Sequence, residues 1–474
     1  MLFNSTVFFG FFLIVLIAYF SFKKSYKLQN ILLLISSYVF YGYWDWRFLF
    51  LIALSTVIDF FVGKTLHGEQ NERKRKQLLF ISVFANLSIL GFFKYFNFFA
   101  DSFTDVLNLF GFHGDMITLK VILPVGISFY TFQTMSYTID IYRKKLKPTK
   151  DFIDFALFVS FFPQLVAGPI ERAVNLLPQI SKARIIKKEQ IYAGIFLILW
   201  GYFKKVVIAD NMGLLADRIF NNYESFHGID LYIGIIAFSI QIYGDFSGYS
   251  DIARGIAKLL GFDLMVNFRL PYFAINPSDF WNRWHISLSS WLRDYLYISL
   301  GGNRKGNLKT YRNLGLTMLL GGLWHGASWN FVLWGAFHGI ILIVYRYIGF
   351  VKLPDGMRGM NIKAIFKRWG SMIIMLLITL FGWLIFRVDS MDQFEYFLKY
   401  MYLRPSGFTS EFLKLIFWFS LPLIIMQIFQ HIKKDLLVVL RLPNIILIVL
   451  FSIMLLIIFI FGAQEASEFI YFQF

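Results

Sequence analysis

The sequence predicts an all-α protein that crosses a membrane many times, and three observations support this fold class. Of its 474 residues, 57% are hydrophobic and 20% aromatic, and only 16% are charged. Twelve apolar runs are long enough, or nearly so, to cross the hydrocarbon core as helices. Basic clusters alternate along the chain with acidic or neutral connections, as expected when Lys and Arg stay on the cytoplasmic side.

The apolar runs are distributed along the whole chain. They lie at residues 2–22, 29–44, 48–63, 78–99, 119–142, 191–209, 232–254, 312–324, 330–348, 371–387, 412–429 and 444–462. Several are shorter than the roughly 20 residues that a perpendicular helix needs, so we expect a bilayer that is thinned at the protein centre. The first run follows no basic segment and precedes no small-residue cleavage site, which favours a retained helix over a signal peptide. Residues 1–474 are predicted to form a single integral-membrane domain.

Loop charge predicts the orientation of these runs. The basic clusters lie at 23–27, 64–76, 143–150, 182–188, 304–312, 358–368 and 433–441. The other connections are 101–115, 210–230, 389–411 and the tail from residue 463. With the basic set inside, about twelve crossings alternate consistently and both termini lie outside. The net charge of +17 therefore indicates cytoplasmic loops beside a lipid bilayer, and no nucleic-acid partner is expected.

Two segments do not fit simple spanning helices. Residues 151–182 have basic flanks on both sides and contain FFPQLVAGPIER, in which two prolines and a glycine interrupt any helix. We expect a re-entrant segment, whose freed backbone groups must be satisfied by protein or water. Residues 255–312 are too polar to span but rich in aromatic residues, which predicts amphipathic helices at the cytoplasmic face, broken by two prolines and a glycine pair.

The stretch 279–338 holds the main candidates for chemistry. His285 and His325 stand beside tryptophan in the polar clusters WNRWH and GLWHGASWN. An ionisable group at membrane depth is a functional candidate, and a neutral imidazole can take a proton from a hydroxyl and return it. The alternative for His325 is a histidine bonded to a carbonyl at a helix end, and for His285 a place in an interfacial aromatic belt. His338 lies in an apolar run and is interpreted as a packed helix residue.

Further polar residues are candidates for lining a tunnel for the donor. In QIYGDFSGYSDIARG, Asp245, Ser247 and Tyr249 would form its polar wall, whereas the glycines of this motif would equally allow close helix contact. The other tunnel candidates, all from the two histidine motifs, are Asn282, Arg283, Trp284, Trp324 and Asn330. The chain has no cysteine, no HExxH and no GxSxG, so we expect neither a metal site nor a serine hydrolase.

The last predicted helix and an aromatic motif occupy residues 444–474, which end in GAQEASEFIYFQF. A free chain end normally stays polar. An aromatic end therefore indicates burial against protein, or an anchor at the membrane interface. Tyr471 would place a phenolic oxygen wherever this tail docks.

Several of these motifs together resemble the membrane-bound O-acyltransferase family, most closely its bacterial alginate O-acetyltransferase branch. The resemblance rests on WNRWHISLSSWLRDYLYISLGGNRKG, GGLWHGASWNFVLWGAFHG, FFPQLVAGPIER and DFSGYSDIARGIAKLLGF, and it covers most of the chain. It implies about 11–12 transmembrane helices, with re-entrant and amphipathic helices, around a thin centre with a tunnel. It places the catalytic core region in residues 255–348. His325 corresponds to the nearly universal active-site histidine of the family, and His285 to the second histidine of this branch.

The resemblance also implies an activity. Acetyl groups from cytoplasmic acetyl-CoA, with no bound cofactor, would cross the bacterial cytoplasmic membrane to a polysaccharide acceptor, usually through a secreted or membrane-anchored SGNH-type acetyltransferase. In related D-alanyl systems a separate membrane peptide carries an aromatic end similar to FIYFQF, which makes Tyr471 a candidate acyl carrier. D-alanyl transfer to teichoic acid, a transporter and a non-catalytic scaffold for polysaccharide export are the alternatives.

Overall fold

The computed structural model describes residues 1–111, 121–166, 168–349, 362–463 and 469–470, and within these ranges the chain is helical and has no strand. The first ten helices are α1 (Thr6–Ser21), α2 (Tyr26–Asp45), α3 (Leu49–Gly68), α4 (Glu72–Leu109), α5 (Ile127–Tyr142), α6 (Phe152–Ser160), α7 (Phe162–Leu165), α8 (Ala173–Ile180), α9 (Lys188–Tyr202) and α10 (Asp210–Phe220). The others are α11 (Ile229–Leu259), α12 (Pro277–Trp281), α13 (Ile286–Trp291), α14 (Asn307–His325), α15 (Trp329–Ile348), α16 (Ile362–Arg387), α17 (Met391–Tyr400), α18 (Thr409–Lys433) and α19 (Asn444–Phe461).

Eight helical stretches of the described chain are long and apolar enough to cross a membrane. One of them, Tyr26–Gly68, joins two predicted runs through a short 3-10 turn at Trp46–Phe48. Three further predicted runs are also helices, but α1 and α5 have only 16 residues each and α14 begins with polar residues. The all-α, multi-pass fold class is confirmed, whereas about twelve crossings and a thin central tunnel stay predictions.

The chain forms two compact units. The first contains residues 1–194, 256–265 and 326–328, and the second contains residues 195–255, 266–325 and 329–474. Helices α9 and α11 each contribute residues to both units. Neither unit is therefore a single continuous segment of chain.

In the first unit, α5 is the central helix. Nearly all of its 16 residues are buried, and it packs against α3, α4, α6 and α8. Buried polar side chains there are bonded to one another across helices. The Asp59 carboxylate on α3 accepts hydrogen bonds from Ser82 Oγ and Asn86 Nδ2 on α4, at 2.5 and 2.7 Å. Such bonds hold helices together where lipid provides little hydrophobic drive for association.

The predicted re-entrant segment consists of short helices with breaks between them. Helix α6 ends before Phe161, and Pro163 lies in the first turn of α7, where a missing N–H costs nothing. The described residues between Leu165 and Ala173 are non-helical, and α8 begins at Ala173. The backbone N–H of Met265 donates to the buried Glu171 carboxylate. These contacts supply the protein partners that broken helices need, and the re-entrant course itself stays a prediction.

In the second unit, the chain of α9 continues through a π-helical turn at Phe203–Ala209 into α10 and lies against α11. A Cβ atom added to Gly201 would come within 2.6 Å of the Gly248 oxygen, and one added to Gly248 within 2.8 Å of the Gly201 oxygen. The close helix contact that was one interpretation of the α11 glycines is confirmed. It brings the buried side chains of the π-helical turn against those of α11.

Helices α14 and α15 form a tight hairpin. A Cβ on Gly322 would lie 2.2 Å from the Phe331 oxygen, and a Cβ on Gly335 would lie 2.5 Å from the Met318 oxygen. The two backbones therefore touch along the hairpin. The chain bends at GLWHGASWN, between the predicted runs 312–324 and 330–348, because α14 ends at His325 and α15 begins at Trp329.

The segment between α11 and α14 differs from the predicted amphipathic helices. All its residues are described, and its helices are short: α12 has five residues, α13 has six, and a π-helical turn covers Leu292–Tyr297. Two parts of this segment are joined by backbone hydrogen bonds. Ile286 N donates to Asn267 O at 2.9 Å, and Arg269 N donates to Arg283 O at 2.9 Å. These bonds satisfy backbone groups that a helix would otherwise have satisfied.

Candidate functional site

His285 and His325 lie side by side in the second unit. Their ring centroids are 6.5 Å apart, although the two residues lie 40 positions apart in the sequence. Both are buried, with exposures of 0% and 4%. The structure thus brings together the two histidines that the sequence singled out, and it places them away from solvent.

His285 has an unusual backbone conformation that fixes the direction of its ring. Its φ of 42° lies in the left-handed region, which non-glycine residues rarely occupy. It stands immediately before α13, at the N-cap position of that helix. Strained residues of this kind persist where their surroundings hold them, and they cluster at functional sites. Here the surroundings are the bonds from Asn267.

Asn267 determines the tautomer of His285. Its Oδ1 accepts hydrogen bonds from the backbone N–H and the hydroxyl of Ser287, at 3.2 and 2.9 Å. A backbone N–H can only donate, so the atom that receives it must be the amide oxygen. The same oxygen lies 3.1 Å from Nδ1 of His285. Nδ1 must therefore carry the proton, and Nε2 of the neutral ring has the basic lone pair.

Burial keeps His285 neutral. Removal from water lowers the pKa of its imidazole to about 3, because the charged form loses its solvation. Phe246 contacts the ring edge-on at a centroid distance of 4.7 Å, and Trp324 lies at 5.7 Å. These apolar neighbours provide no countercharge. The ring therefore presents a lone pair, rather than a positive charge, across the physiological pH range.

His325 is enclosed by aromatic rings at the end of α14. The centroids of Trp334, Trp324 and Phe386 lie 5.0, 5.1 and 5.8 Å from its own. Trp334 and Phe386 come from α15 and α16, so three helices define this environment. An enclosure of this kind excludes water and strengthens polar interactions inside it.

Helix α11 carries the three residues predicted to form a polar wall, and each has a defined partner. Asp245 accepts an ion pair from Lys205 Nζ at 2.9 Å, and Lys205 also pairs with Asp210 at 2.8 Å. The hydroxyl of Ser247 receives Lys204 Nζ at 2.9 Å. Both lysines lie on the π-helical turn and are at most 3% exposed. Buried charges of this kind are stable only when paired.

The end of the described chain packs against the same helix. The N–H of Ile470 donates to Asp245 Oδ2 at 2.7 Å. The ring of Phe469 lies 4.6 Å from that of Tyr249 and 5.5 Å from that of Phe246. Phe246 also contacts His285, so one aromatic ring separates the tail from the histidine. Tyr471 is the next residue of the chain, and it lies outside the described residues.

The remaining predicted residues are more dispersed. Asn282 is exposed, and Arg283 pairs with Asp279 at 2.6 Å. Trp284 is buried against Trp383, with centroids 4.8 Å apart. Asn330 uses its Nδ2 to donate to the Val388 oxygen at 3.1 Å. Among these candidates, only Trp324 is observed in ring contact with both histidines.

His338 is packed within aromatic side chains, as the sequence predicted. It is 3% exposed, and its ring lies 4.7 Å from that of Trp334 and 5.1 Å from that of Trp281. A Cβ on Gly382 would approach its Nε2 to 2.9 Å. The neighbouring α16 therefore leaves room for this imidazole.

Sequence reasoning missed four residues of this site: Asn267, Phe246, Lys204 and Lys205. The two lysines gave a signal, because KK inside the apolar run 191–209 is costly unless paired. Asn267 and Phe246 gave none. An asparagine in an irregular segment and a phenylalanine in an apolar helix are ordinary residues until the fold places them beside His285.

The described chain is a multi-pass helical membrane protein in which two neighbouring histidines are buried among aromatic rings. Comparison with known proteins specifies the class. Residues 142–383, about half of the chain, match the model of the membrane-bound O-acyltransferase family. The chain belongs to this family and is a multi-pass membrane O-acyltransferase.

Its relatives include enzymes with different acceptors. It is 42% identical over 394 residues to the probable alginate O-acetylase of Pseudomonas aeruginosa, covering 83% of this chain and 73% of that protein. It is 40% identical over 376 residues to the peptidoglycan O-acetyltransferase of Helicobacter pylori, covering 73% and 70%. The teichoic acid D-alanyltransferase of Bacillus subtilis is 29% identical over 234 residues, covering 47% and 59%.

Proposed function

We propose that this protein takes acetyl groups from acetyl-CoA in the cytoplasm and passes them across the cytoplasmic membrane for O-acetylation of an extracellular or cell-wall polysaccharide. The observation that carries the proposal is the juxtaposition of His285 and His325 with the C-terminal tail, one aromatic ring away. The relatives named as alginate and peptidoglycan O-acetylating enzymes support acetyl as the group and a polysaccharide as the final acceptor.

Tyr471 is proposed as the carrier of the acetyl group. His325 takes the phenolic proton, and the Tyr471 oxygen attacks the thioester carbonyl carbon. The carbon–sulfur bond then breaks, and the departing CoA thiolate takes up the proton from the imidazole. An acceptor hydroxyl later attacks the tyrosyl ester, and the phenol is regenerated when its oxygen leaves. Phenol, with a pKa of about 10, is a better leaving group than an aliphatic alcohol.

In this proposal the Nε2 lone pair of His285 accepts a hydrogen bond, while His325 takes and returns the proton. The sequence suggested it as a donor to the oxyanion, together with the amide groups of Asn282 and Asn330. A neutral His285 with its proton on Nδ1 has no hydrogen on Nε2, which supports the opposite role. A better donor is the indole N–H of Trp334, since this buried group has no hydrogen-bond partner among the described residues and its ring lies 5.0 Å from that of His325.

A secreted or membrane-anchored acetyltransferase of the SGNH type is proposed as the partner that receives the acetyl group. The protein itself would then contact the polysaccharide only indirectly. The donor would enter through a tunnel, for which Trp324 is the best-supported lining residue because it touches both histidine rings.

The function is tested by replacing the two histidines in the living cell. His325→Ala should lower the initial rate of O-acetylation of the wall or exopolysaccharide by ~10²–10⁴-fold, because it removes the proton-transfer group. His285→Ala should also lower this rate, because it removes the hydrogen-bond acceptor beside His325. Mass spectrometry of the isolated polymer measures the loss and identifies the acyl group. His338→Gln is the matched control, as it changes a packed histidine of the same aromatic cluster.

Normal acetylation by both alanine variants, inserted at the wild-type level, would contradict the enzymatic mechanism and favour a scaffold. Loss of D-alanine instead of acetyl groups in a deletion strain would assign the protein to teichoic acid modification.

The carrier role has its own test. Tyr471→Phe keeps the aromatic ring and removes only the phenolic oxygen, so it should abolish acetyl transfer while membrane insertion stays normal. Phe472→Tyr, which alters the neighbouring side chain, is the control for a substitution in the tail that leaves Tyr471 in place. Full acetylation in the Tyr471→Phe strain would show that the donor is passed on without this oxygen.

A further inference from the structure

We propose that Asp245, Phe246 and Tyr249 of α11 form a binding site for the chain's own C-terminal segment, in which Asp245 is the residue that positions it. The site binds the main-chain N–H of Ile470 and the aromatic side chain of Phe469, the residue before it. The purpose of this docking, to hold residue 471 beside the histidines, rests on the proposed function, whereas the binding site does not.

Two different contacts define the site. The Asp245 carboxylate receives the Ile470 N–H at 2.7 Å, and both residues are buried, with exposures of 2% and 3%. A hydrogen bond to a buried carboxylate is stronger than one between neutral groups. Phe469, which is 0% exposed, packs against the rings of Phe246 and Tyr249. The site thus recognises both the main chain and the preceding side chain.

Lys205 of the π-helical turn holds the Asp245 carboxylate in place. Lys205 lies between Asp245 and Asp210, with Nζ–O distances of 2.9 and 2.8 Å. Lys205 is thus shared by two carboxylates, and an additional N–H donor stabilises the Asp245 carboxylate further. The tail provides such a donor from its backbone. A changed side chain at position 470 would therefore leave this bond intact.

The same turn also holds the beginning of the tail. Ala463 N donates to Val206 O at 3.1 Å, and Asn211 Nδ2 donates to Phe461 O at 3.0 Å. Lys205 and Val206 are neighbours, so the exit of α19 and the Ile470 contact lie on one structural element. Ala463 and Ile470 are therefore each bonded to residues of the second unit.

The site lies deep along α11. Asp245 is 16 residues after Ile229, the first residue of this 31-residue helix, or about 24 Å along its axis. A chain end placed near the middle of a membrane-spanning helix must have its polar groups satisfied by protein. The Asp245 carboxylate satisfies one of them, and a hydrophobic interface anchor would need no such partner.

A cysteine reporter tests the docking directly, because the chain contains no other cysteine. Ile470→Cys keeps the backbone N–H, and its thiol should react slowly with a maleimide in the full-length protein in membranes. Adding Asp245→Ala should raise the reaction rate by ~10-fold or more, as expected for loss of a hydrogen bond to a charged group. Asp245→Asn retains an acceptor oxygen and should give an intermediate rate.

Asp251 provides the matched control. It pairs with Lys204 at 2.7 Å on the same two elements, as Asp245 pairs with Lys205, but the Ile470 N–H donates to Asp245. Asp251→Ala should therefore leave the Ile470→Cys thiol protected. If Asp245→Ala fails to insert, Phe469→Ala tests the site from the side of the tail and should also expose the thiol.

Equal labelling rates in the Asp245→Ala, Phe469→Ala and unaltered backgrounds would overturn the binding site. Measuring polysaccharide acetylation in the same variants separates this result from the proposed function. Fast labelling with lost acetylation supports both ideas. Fast labelling with full acetylation supports the binding site and contradicts the carrier role of Tyr471.

Discussion

His285 shows how one neighbour turns a common residue into a defined chemical group. The φ of 42° and the Asn267 bond together fix its ring, its tautomer and the direction of its Nε2 lone pair. Asn267 also accepts two hydrogen bonds from Ser287, and its own Nδ2 donates to Ser250 Oγ at 3.3 Å. An amide with this many bonds cannot rotate without losing several of them. Its position therefore determines the chemistry of the histidine.

The role of Asn267 predicts a change in pH dependence. Asn267→Asp keeps an acceptor for Nδ1 but adds a negative charge, which raises the pKa of His285 from its value of about 3. A raised pKa means that the imidazole takes up a proton, and loses its basic lone pair, at a higher pH. An ordinary histidine has a pKa of about 6.5. The rate of thiol release from acetyl-CoA in proteoliposomes should therefore fall more steeply in the variant than in the wild type as the pH is lowered from about 8 to about 6.

Asn267→Ala is the control for this experiment. It removes the acceptor without adding a charge, so it should lower the rate at every pH and leave the shape of the profile unchanged. Superimposable normalised profiles for the wild type and Asn267→Asp would contradict the assignment of Asn267 as the orienting residue.

At the scale of elements, the α14–α15 hairpin places His325. Its backbones touch at Gly322 and Gly335, and small residues allow this approach where lipid offers no competing hydrophobic gain. The space beside Gly322 is occupied by the backbone of α15.

Gly322→Ala should therefore destabilise the hairpin. The added methyl group would lie 2.2 Å from the Phe331 oxygen, and relief of such overpacking typically costs about 1–3 kcal/mol. Thermal unfolding of the detergent-solubilised protein should show a lower transition temperature. Gly315→Ala on the same helix is the control, because its Cβ would meet only Ile343, at 3.9 Å, and alanine favours a helix by up to about 1 kcal/mol. A lower transition for Gly315→Ala alone would contradict this account.

At the scale of the whole molecule, charge distribution predicts the orientation in the membrane. The basic connection 304–312 should lie in the cytoplasm, and the acidic connection 389–411 should lie outside. This orientation places the end of α19 outside, on the side where the acetyl group leaves in the proposed function. The predicted direction of transfer therefore depends on it.

Single cysteines test the orientation in intact cells, without interference from native thiols. Glu395 and Lys305 are both exposed, so each thiol is reachable from its own side. Glu395→Cys should react with a membrane-impermeant maleimide, and Lys305→Cys should react only after the membrane is permeabilised. The reverse pattern would invert the predicted topology and the direction of acetyl transfer.

The sequence by itself determined the fold class, the family and the two histidines. Membrane-spanning helices can be identified from the summed hydrophobicity of consecutive residues. This sum does not depend on how the helices later pack. His285 and His325 were found because histidine is rare and costly in such surroundings. The bend at His325 also followed from local signals, since small and polar residues interrupt the apolar pattern there.

Only the tertiary structure decided which residues surround the histidines. Nothing in the sequence marked Asn267 or Phe246 as functional. The motif around Asp245 was equally consistent with a tunnel wall and with a helix contact. Side-chain hydrogen bonds and ring contacts depend on distances of a few ångströms between segments far apart in the chain. The bond from Ile470 to Asp245, 225 positions apart, is of this kind. No local pattern encodes it, because it forms only after α11, the π-helical turn and the tail have packed together.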